Sequence, residues 1–226
     1  MSSVDITVVA DAAEAAQLVA ERLAEQARAG GSIVLTGGST PRRAYQLAAE
    51  LEPDWGRVEL WWGDERCVPP DDERSNYGLA KRTLLDRLNA GPAVHRMRGE
   101  LPPDEGAAEY KLELTDAGTF DLVLLGLGAD GHIASLFPNF PTLDVTGRDV
   151  IGSDAGLEPF VDRISMTLPR LCNTHELLFL VAGGDKADAV ARALDGVPSH
   201  ATPGSLARAT EGTTHAILDR AAAAQL

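Results

Sequence analysis

The sequence contains little positive charge. It has 20 Lys and Arg residues against 34 Asp and Glu residues, which gives a formal net charge of −14. No basic block interrupts this acidity, so nucleic acid and anionic membrane surfaces are unsuitable partners. A small anionic substrate is compatible with such a chain only if a local cluster of Arg or Lys receives it.

Cysteine, a signal peptide and long apolar runs are also scarce or missing. Cys67 and Cys172 stand far apart, with neither a CxxC motif nor zinc-ligand spacing, so we expect reduced thiols and no metal site. Acidic residues occupy the N-terminus where a signal peptide needs basic ones, and no apolar run approaches membrane length. These absences predict a soluble cytoplasmic protein.

Short apolar runs alternate with stretches of helical periodicity, without repeats, low-complexity tracts or linkers. Helices are expected to begin after the cap Asp11, at Pro41 and at Ser75, and another is expected within residues 102–116. A further helix is expected after Asp185, which would be its cap. Strands are predicted at residues 4–9, 32–36, 58–62, 94–97, 121–125, 163–167, 177–182 and 213–218. This order predicts one α/β domain over residues 1–226, with a mostly parallel, open, Rossmann-like sheet covered by helices on both faces. Residues 138–165 would form a small irregular excursion.

The strand at 32–36 runs directly into Gly37, Gly38, Ser39 and Thr40, and Pro41 suits the first position of a helix. Free N–H groups, the helix dipole and two hydroxyls together make a pocket for an anion. The alternative is a tight turn in which Ser39 or Thr40 only caps the helix. Two glycines and two hydroxyls exceed what a cap needs, so we favour phosphate binding.

Charged residues follow two other predicted strands. Asp64 and Arg66 come after the strand at 58–62, where Arg66 could hold a substrate oxygen and Asp64 could pair with it or accept from a hydroxyl. The alternative is a solvated turn with a surface ion pair. Lys186 falls in the first turn of a helix, where a cation opposes the helix dipole, and a bound anion would compensate it.

A glycine-rich turn follows the buried strand at 121–125. Gly126, Gly128 and Gly131 have the spacing of the dinucleotide-binding fingerprint. However, Asp130 would place a negative charge beside a pyrophosphate, and Pro138 interrupts the helix that this fingerprint should begin. The turn therefore does not indicate a nicotinamide or flavin enzyme.

His132 is the candidate catalytic residue of this turn. It is expected to begin a short helical turn, and Asp130 is close enough in sequence to orient its ring. The sequence has no second His or Cys at ligand spacing, and no nucleophile elbow of the GxSxG type. A histidine that works without serine or metal most simply activates water as a general base.

Taken together, these motifs resemble the 6-phosphogluconolactonase family, over about residues 30–195. The motifs that carry the resemblance occur in the family's order: LTGGSTP at 35–41, WGDER at 62–66 with SNY at 75–77, GLGADGHIASLFP at 126–138, RISMTLP at 163–169 and GDKA at 184–187. The resemblance implies the sugar-phosphate isomerase/deaminase-like fold. It also implies hydrolysis of 6-phospho-D-glucono-1,5-lactone to 6-phosphogluconate, the second step of the oxidative pentose phosphate pathway.

Two other functions have to be weighed against this one. Glucosamine-6-phosphate deaminase shares the glycine loop and the histidine turn, but has Asp-Glu-Tyr at 64–66 and continues toward Asn-Glu-Pro where this chain has SLFP at 135–138. A non-catalytic sugar-phosphate sensor would carry a DNA-binding module upstream, whereas residues 1–30 hold one strand and one helix. One departure from the lactonases is the segment 156–162, which is usually rich in Lys-Pro-Pro.

The resemblance also implies roles for individual residues. His132, oriented by Asp130, takes a proton from the water that attacks C1 and later protonates the ring oxygen. Arg66, together with N–H groups of the glycine loop, stabilises the oxyanion, and Asp64 holds Arg66 or a sugar hydroxyl. Substrate contacts, mainly to the phosphate, are assigned to Gly37, Gly38, Ser39, Thr40, Arg163, Lys186, Gly128 and Gly131. No metal or organic cofactor is expected, and the enzyme would be a monomer or a small homo-oligomer.

Overall fold

Short apolar runs form the strands of the fold, as their pattern predicts. The computed structural model describes residues 3–155 and 160–226. The strands are β1 (Val4–Val9), β2 (Gly31–Leu35), β3 (Val58–Trp62), β4 (Asp64–Arg66), β5 (Ala93–His95), β6 (Phe120–Leu125), β7 (Val150–Ser153), β8 (Arg163–Met166), β9 (Thr174–Val181) and β10 (Thr213–Asp219). The α-helices are α1 (Ala12–Ala29), α2 (Pro41–Leu51), α3 (Asn76–Thr83), α4 (Pro103–Glu113), α5 (Leu168–Cys172) and α6 (Ala187–Leu194).

The main sheet has seven strands, in the order β1-β10-β9-β6-β2-β3-β5. Every neighbouring pair in it is parallel. Because the strands run in one direction, the loops that leave their carboxyl ends gather along one edge of the sheet. The predicted α/β class and the mostly parallel sheet are confirmed, and strand β5 lies at an edge as expected.

The sheet separates two hydrophobic cores. Leu122 and Leu124 of β6 face the core that α1 and α2 cover, whereas Val123 and Leu125 face the core that α4 and α6 cover. Successive side chains of a strand point to opposite faces, so a central strand has to be apolar throughout. Helices therefore cover both faces of the sheet, as the prediction required.

A second, smaller sheet was not predicted. Strands β4, β8 and β7 pair antiparallel in that order. The strand expected at 163–167 belongs to this small sheet rather than to the main sheet, and residues 150–153, which were expected to be irregular, form its strand β7. Asp64 and Glu65 are 5% and 2% exposed, so the interpretation of 64–66 as a solvated turn is wrong. The sequence pattern missed this because the partners that bury β4 lie far away in the chain.

The helix starts show which hydroxyl groups are used as caps. The Oδ1 atom of Asp11 accepts from the backbone N–H of the second residue of α1, at 2.9 Å, and the Ser75 hydroxyl accepts from the third residue of α3, also at 2.9 Å. Helix α2 begins without any side-chain cap. The interpretation of Ser39 or Thr40 as a simple cap is therefore wrong, and their hydroxyls are left for another purpose.

Two predicted local structures differ from those observed. Asp185 does not cap α6, because a 3₁₀ turn over Gly184–Lys186 precedes the helix and Lys186 itself is the N-cap residue. His132 does not begin a helical turn either. It lies in a non-helical turn, next to an isolated bridge between Ile133 and Leu136.

Two further observations concern larger segments. Within the described residues, no helix is both long enough and apolar enough to cross a bilayer. The departure from the lactonase pattern at 156–162 falls partly on residues 156–159, which lie outside the described residues.

Substituting Leu124→Ala tests the central position of β6. The side chain is fully buried, so its truncation should lower the free energy of unfolding by about 2–5 kcal/mol. The matched control is Leu112→Ala in α4, whose side chain is 73% exposed and whose loss should change stability by less than about 0.5 kcal/mol. Urea denaturation of both variants measures the difference, and equal losses would contradict the assigned core.

Candidate active site

A cavity of about 260 Å³ opens at the carboxyl-terminal edge of the main sheet. Its walls come from the loops after β2 and β6, from the end of β9, and from β4 and β8 of the small sheet. In an open parallel sheet, this edge is where ligands usually bind. The small sheet thus adds side chains to a cavity that the main sheet forms.

The structure brings most of the predicted site residues together. Only Asp130 and Gly131 of that set lie outside the cavity wall. The residues that line it are Gly37, Gly38, Ser39, Thr40, Asp64, Arg66, Gly128, His132, Arg163 and Lys186.

His132 and Asp130 form a close pair. The Nδ1 atom of His132 lies 2.6 Å from Oδ1 of Asp130, which also accepts from the His132 backbone N–H at 3.1 Å. Burial opposes ionisation of Asp130, but the hydrogen bonds and charge of His132 outweigh it and lower the pKa of this carboxyl. A carboxylate at Nδ1 holds the proton on that nitrogen, so the unprotonated Nε2 is the basic atom.

Gly128 and Gly131 shape the turn that carries this pair. A Cβ atom at Gly128 would collide with the His132 ring and with the Asp130 carboxylate. Gly131 has φ near +95°, where a side chain would be strained, and its N–H donates to the Gly128 carbonyl at 2.9 Å. Gly131 therefore supports the turn rather than lining the cavity, and Gly128 makes room for the histidine.

Arg66 and Arg163 are directly opposite each other on β4 and β8. Like charges at opposite positions of two strands weaken the pairing, and both of these side chains line the cavity. Arg163 is 4% exposed. Burial lowers the pKa of its guanidinium, although the nearby charge of Asp64 opposes that shift.

Asp64 is held by side chains for which no role was predicted. Its Oδ1 atom accepts from the Asn76 amide at 3.0 Å, and its Oδ2 atom accepts from the Ser135 hydroxyl at 2.7 Å. Among the described residues, Asp64 and Arg66 form no ion pair, and Arg66 donates to the Arg74 carbonyl at 2.6 Å. Of the two roles that the sequence offered for Asp64, pairing with Arg66 is therefore not observed.

Asn76 and Ser135 occur within the SNY and GLGADGHIASLFP motifs, which gave the only sequence signal for them. Their function depends on contacts with Asp64, far away in the chain, and local spacing cannot show such contacts.

The loop after β2 meets the cavity with its backbone. Gly38 has φ near +96°, and a Cβ at Gly37 would collide with the amide of Asn76. The Nζ atom of Lys186 reaches the same cavity and lies 3.1 Å from the exposed carboxylate of Asp185. That carboxylate supplies part of the compensation that Lys186 was predicted to need.

Glu65 is a buried carboxylate behind the cavity wall. Its oxygens accept from the backbone N–H groups of Arg66, Asn76 and Tyr77 and from the Ser75 hydroxyl, at 2.7–2.9 Å. Burial raises the pKa of Glu65, and these donors oppose the rise. The carboxylate joins β4 to the start of α3 and so fixes the place of Asn76.

The described residues offer no group of three or more His, Cys, Asp and Glu side chains that could hold a metal ion. The groups present at the site are a histidine–carboxylate pair, two arginines, one lysine and the N–H groups and hydroxyls of a glycine loop.

Comparisons with known proteins agree with the motifs. The family described as glucosamine-6-phosphate isomerases/6-phosphogluconolactonase matches residues 7–216. The 6-phosphogluconolactonase of Streptomyces coelicolor is 40% identical, over 98% of this chain and 92% of its own length. The solved 6-phosphogluconolactonase of Thermotoga maritima has a TM-score of 0.85 and 28% identity, over 96% of this chain and all of that one.

A solved monomeric glucosamine-6-phosphate deaminase also superposes, with a TM-score of 0.85 over 98% of this chain and all of its own. Its sequence is 20% identical to this one, so this likeness shows the fold alone.

Inorganic phosphate should stabilise the protein, because the cavity gathers Arg66, Lys186 and the glycine loop around a place for an anion. At a concentration 100 times its Kd, the gain is about 2.7 kcal/mol, and thermal unfolding measures it as a rise in Tm. Substituting Arg66→Met should weaken this response. The control Arg57→Met removes an exposed arginine that precedes β3, at the opposite edge of the sheet, and an equal loss of response there would contradict the assigned anion site.

Proposed function

The chain belongs to the glucosamine-6-phosphate isomerase/6-phosphogluconolactonase family, and we propose that within it this enzyme hydrolyses 6-phospho-D-glucono-1,5-lactone to 6-phospho-D-gluconate. Curated relatives at 35–40% identity, over most of this chain, are 6-phosphogluconolactonases. The observation that carries the proposal is the His132–Asp130 pair, whose histidine lines the same cavity as Arg66 and Arg163. A base and cations around one cavity suit attack of water on an anionic ester.

In the proposed complex, the phosphate rests on the loop after β2. The N–H groups around Gly38 and the hydroxyls of Ser39 and Thr40 donate to its oxygens, and the start of α2 directs its dipole at them. Lys186 and Arg163 supply positive charge. This arrangement is supported by the uncapped start of α2 and by the meeting of these residues in one cavity. It gives an acidic protein a local site for an anion.

His132 then acts as the base. Its Nε2 atom takes a proton from a water molecule while the water oxygen bonds to C1 of the lactone, giving a tetrahedral oxyanion. Asp130 stabilises the imidazolium that forms. When the carbonyl forms again, the bond between C1 and the ring oxygen breaks, and the imidazolium returns its proton to that oxygen. The product is the open-chain acid, which ionises in water.

Arg66 is placed to stabilise the oxyanion. It is half-buried and lines the cavity, and its Nη1 atom is fixed by the Arg74 carbonyl. A preorganised cation costs no rearrangement when negative charge develops on the substrate. The N–H of Gly128 donates to the His132 carbonyl at 2.9 Å, so it does not donate to the substrate. The absence of a side chain at Gly128 leaves room for the histidine ring.

The deaminase alternative is less well supported. The pattern of the deaminase family has an acid in the segment after the histidine. This chain has Ser135 in that segment, and its side chain is fully buried and donates to Asp64. A lactonase from Streptomyces coelicolor is 40% identical to this chain, whereas the likeness to the deaminase is limited to the fold.

The same proposal places the enzyme in the cytoplasm, where both cysteines would remain the free thiols that the structure contains. We propose a monomer or a small homo-oligomer, since the described cavity is formed within one chain.

The decisive assay adds freshly prepared phosphogluconolactone and follows acid release. We expect hydrolysis well above the spontaneous rate. Ammonia release from glucosamine 6-phosphate without lactone hydrolysis would instead indicate a deaminase.

Substituting His132→Asn should lower kcat by roughly 10²–10⁴-fold, the usual contribution of a general base, while the circular dichroism spectrum stays that of the parent. The matched control is His175→Asn, because His175 is exposed at the start of β9, away from the cavity. Near-normal turnover of the His132 variant would remove this residue from the mechanism.

A further inference from the structure

The glycine loop after β2 has few hydrogen bonds that fix its course. Within the described residues, the backbone N–H groups of residues 37–40 donate to no other protein group. The Ser39 carbonyl accepts from the Arg42 N–H at 3.4 Å, where the loop passes into α2. Unpaired N–H groups suit a loop that receives an anion, but the same loop then needs support from its two ends.

The hydroxyl of Tyr45 supplies that support at the base of the loop. It accepts from the Thr36 N–H at 3.1 Å and donates to the Thr36 carbonyl at 2.7 Å. A hydroxyl can do both at once, because it has one proton and two lone pairs. Among the described residues, no other group bonds to these two backbone atoms. Thr36 is the residue at which the chain leaves β2 for the loop, and it is 7% exposed.

The ring of Tyr45 is itself held firmly. It is fully buried in the core that also contains Leu35 and Ala48. Burial raises the pKa of the phenol, so the hydroxyl keeps the proton that it donates. Tyr45 lies about one turn after Pro41, the first residue of α2. One side chain therefore joins the end of β2 to the start of α2, which are the two ends of the glycine loop.

A second buried tyrosine makes a similar contact at the neighbouring strand. The Tyr110 hydroxyl accepts from the Trp62 N–H at 3.0 Å and lies 3.3 Å from the Trp62 carbonyl oxygen. There, however, the next residue is bonded on both sides. The Gly63 N–H donates to the Leu35 carbonyl at 3.0 Å, and the Gly63 carbonyl accepts from the Met166 N–H at 2.8 Å. The chain after β3 thus has backbone bonds that the glycine loop does not have.

We propose that Tyr45 is a positioning residue for anion binding: its hydroxyl fixes Thr36 and so holds the backbone of residues 37–40 at the cavity wall. Without the hydroxyl, two buried backbone groups would lose their partner, and the loop would move to satisfy them. The inference deepens the proposed function and rests on it only for the identity of the bound anion as the substrate phosphate.

The test substitutes Tyr45→Phe, which removes the hydroxyl and keeps the ring. The Kd of inorganic phosphate, measured by titration calorimetry, should rise roughly tenfold, because the loop loses its hydrogen bonds at the base. The KM for the lactone should rise as well, whereas kcat should stay near that of the parent, since His132 and Asp130 belong to the turn after β6. A merely structural role would lower Tm without moving the Kd.

The matched control is Tyr110→Phe, which makes the same chemical change in the other core. It should lower Tm without changing the Kd of phosphate, because Gly63 keeps its backbone bonds on both sides.

A second variant, Gly38→Ala, disturbs the loop directly. A Cβ at Gly38 has no neighbour within 4 Å, but φ near +96° strains any side chain there. Phosphate should bind more weakly to this variant. Adding Tyr45→Phe should then cost less affinity than it does in the parent, because both changes act through the same loop. Gly38→Ala also keeps the proposal testable if Tyr45→Phe fails to fold.

Four results would overturn the inference: an unchanged Kd in folded Tyr45→Phe, equal weakening in Tyr110→Phe, an unchanged Kd in Gly38→Ala, or full additivity in the double variant. Phosphate binding is measured directly, so these outcomes are separate from those of the lactone assay. A parent protein that binds phosphate but does not hydrolyse the lactone would refute the proposed function and leave the role of Tyr45 intact.

Discussion

The pairing of β4 with β8 is the constraint on which the site depends. It sets Arg66 and Arg163 at opposite positions of two antiparallel strands, and both side chains line the cavity. Like charges at such positions weaken a strand pair, so the ladder between β8 and β7 and the nearby charge of Asp64 contribute to holding this arrangement. The same ladder brings positive charge to one place in an acidic chain, which is what the proposed substrate anion requires.

The two sheets contribute different parts of the site. The parallel sheet brings the loops after the neighbouring strands β2 and β6 to one edge, where the glycine loop and His132 both line the cavity. The small antiparallel sheet adds the arginines. Asp64 joins these parts, because its oxygens bind one residue from the start of α3 and one from the histidine turn.

The fold was largely predictable because its central strands are apolar throughout and its helices follow a regular periodicity. Most of the candidate residues were also predictable, since they stand directly after strands whose carboxyl ends share an edge. What the pattern could not show was the burial of Asp64 and Glu65, because their partners lie in other elements. The pattern offered Asp64 as a partner of Arg66 or as an acceptor for a hydroxyl, and the structure has no such pair but a bond from the Ser135 hydroxyl. It also predicted a helical turn at His132, which the structure does not have.

Arg163 and the histidine stand on separate segments of the chain. The base and its carboxylate belong to the single turn that follows β6, whereas Arg163 lies on a strand of the small sheet whose partner β7 comes from an otherwise irregular part of the chain. A change of sequence in the β7–β8 hairpin therefore alters the charge at the cavity without altering the residues of the turn that holds the base.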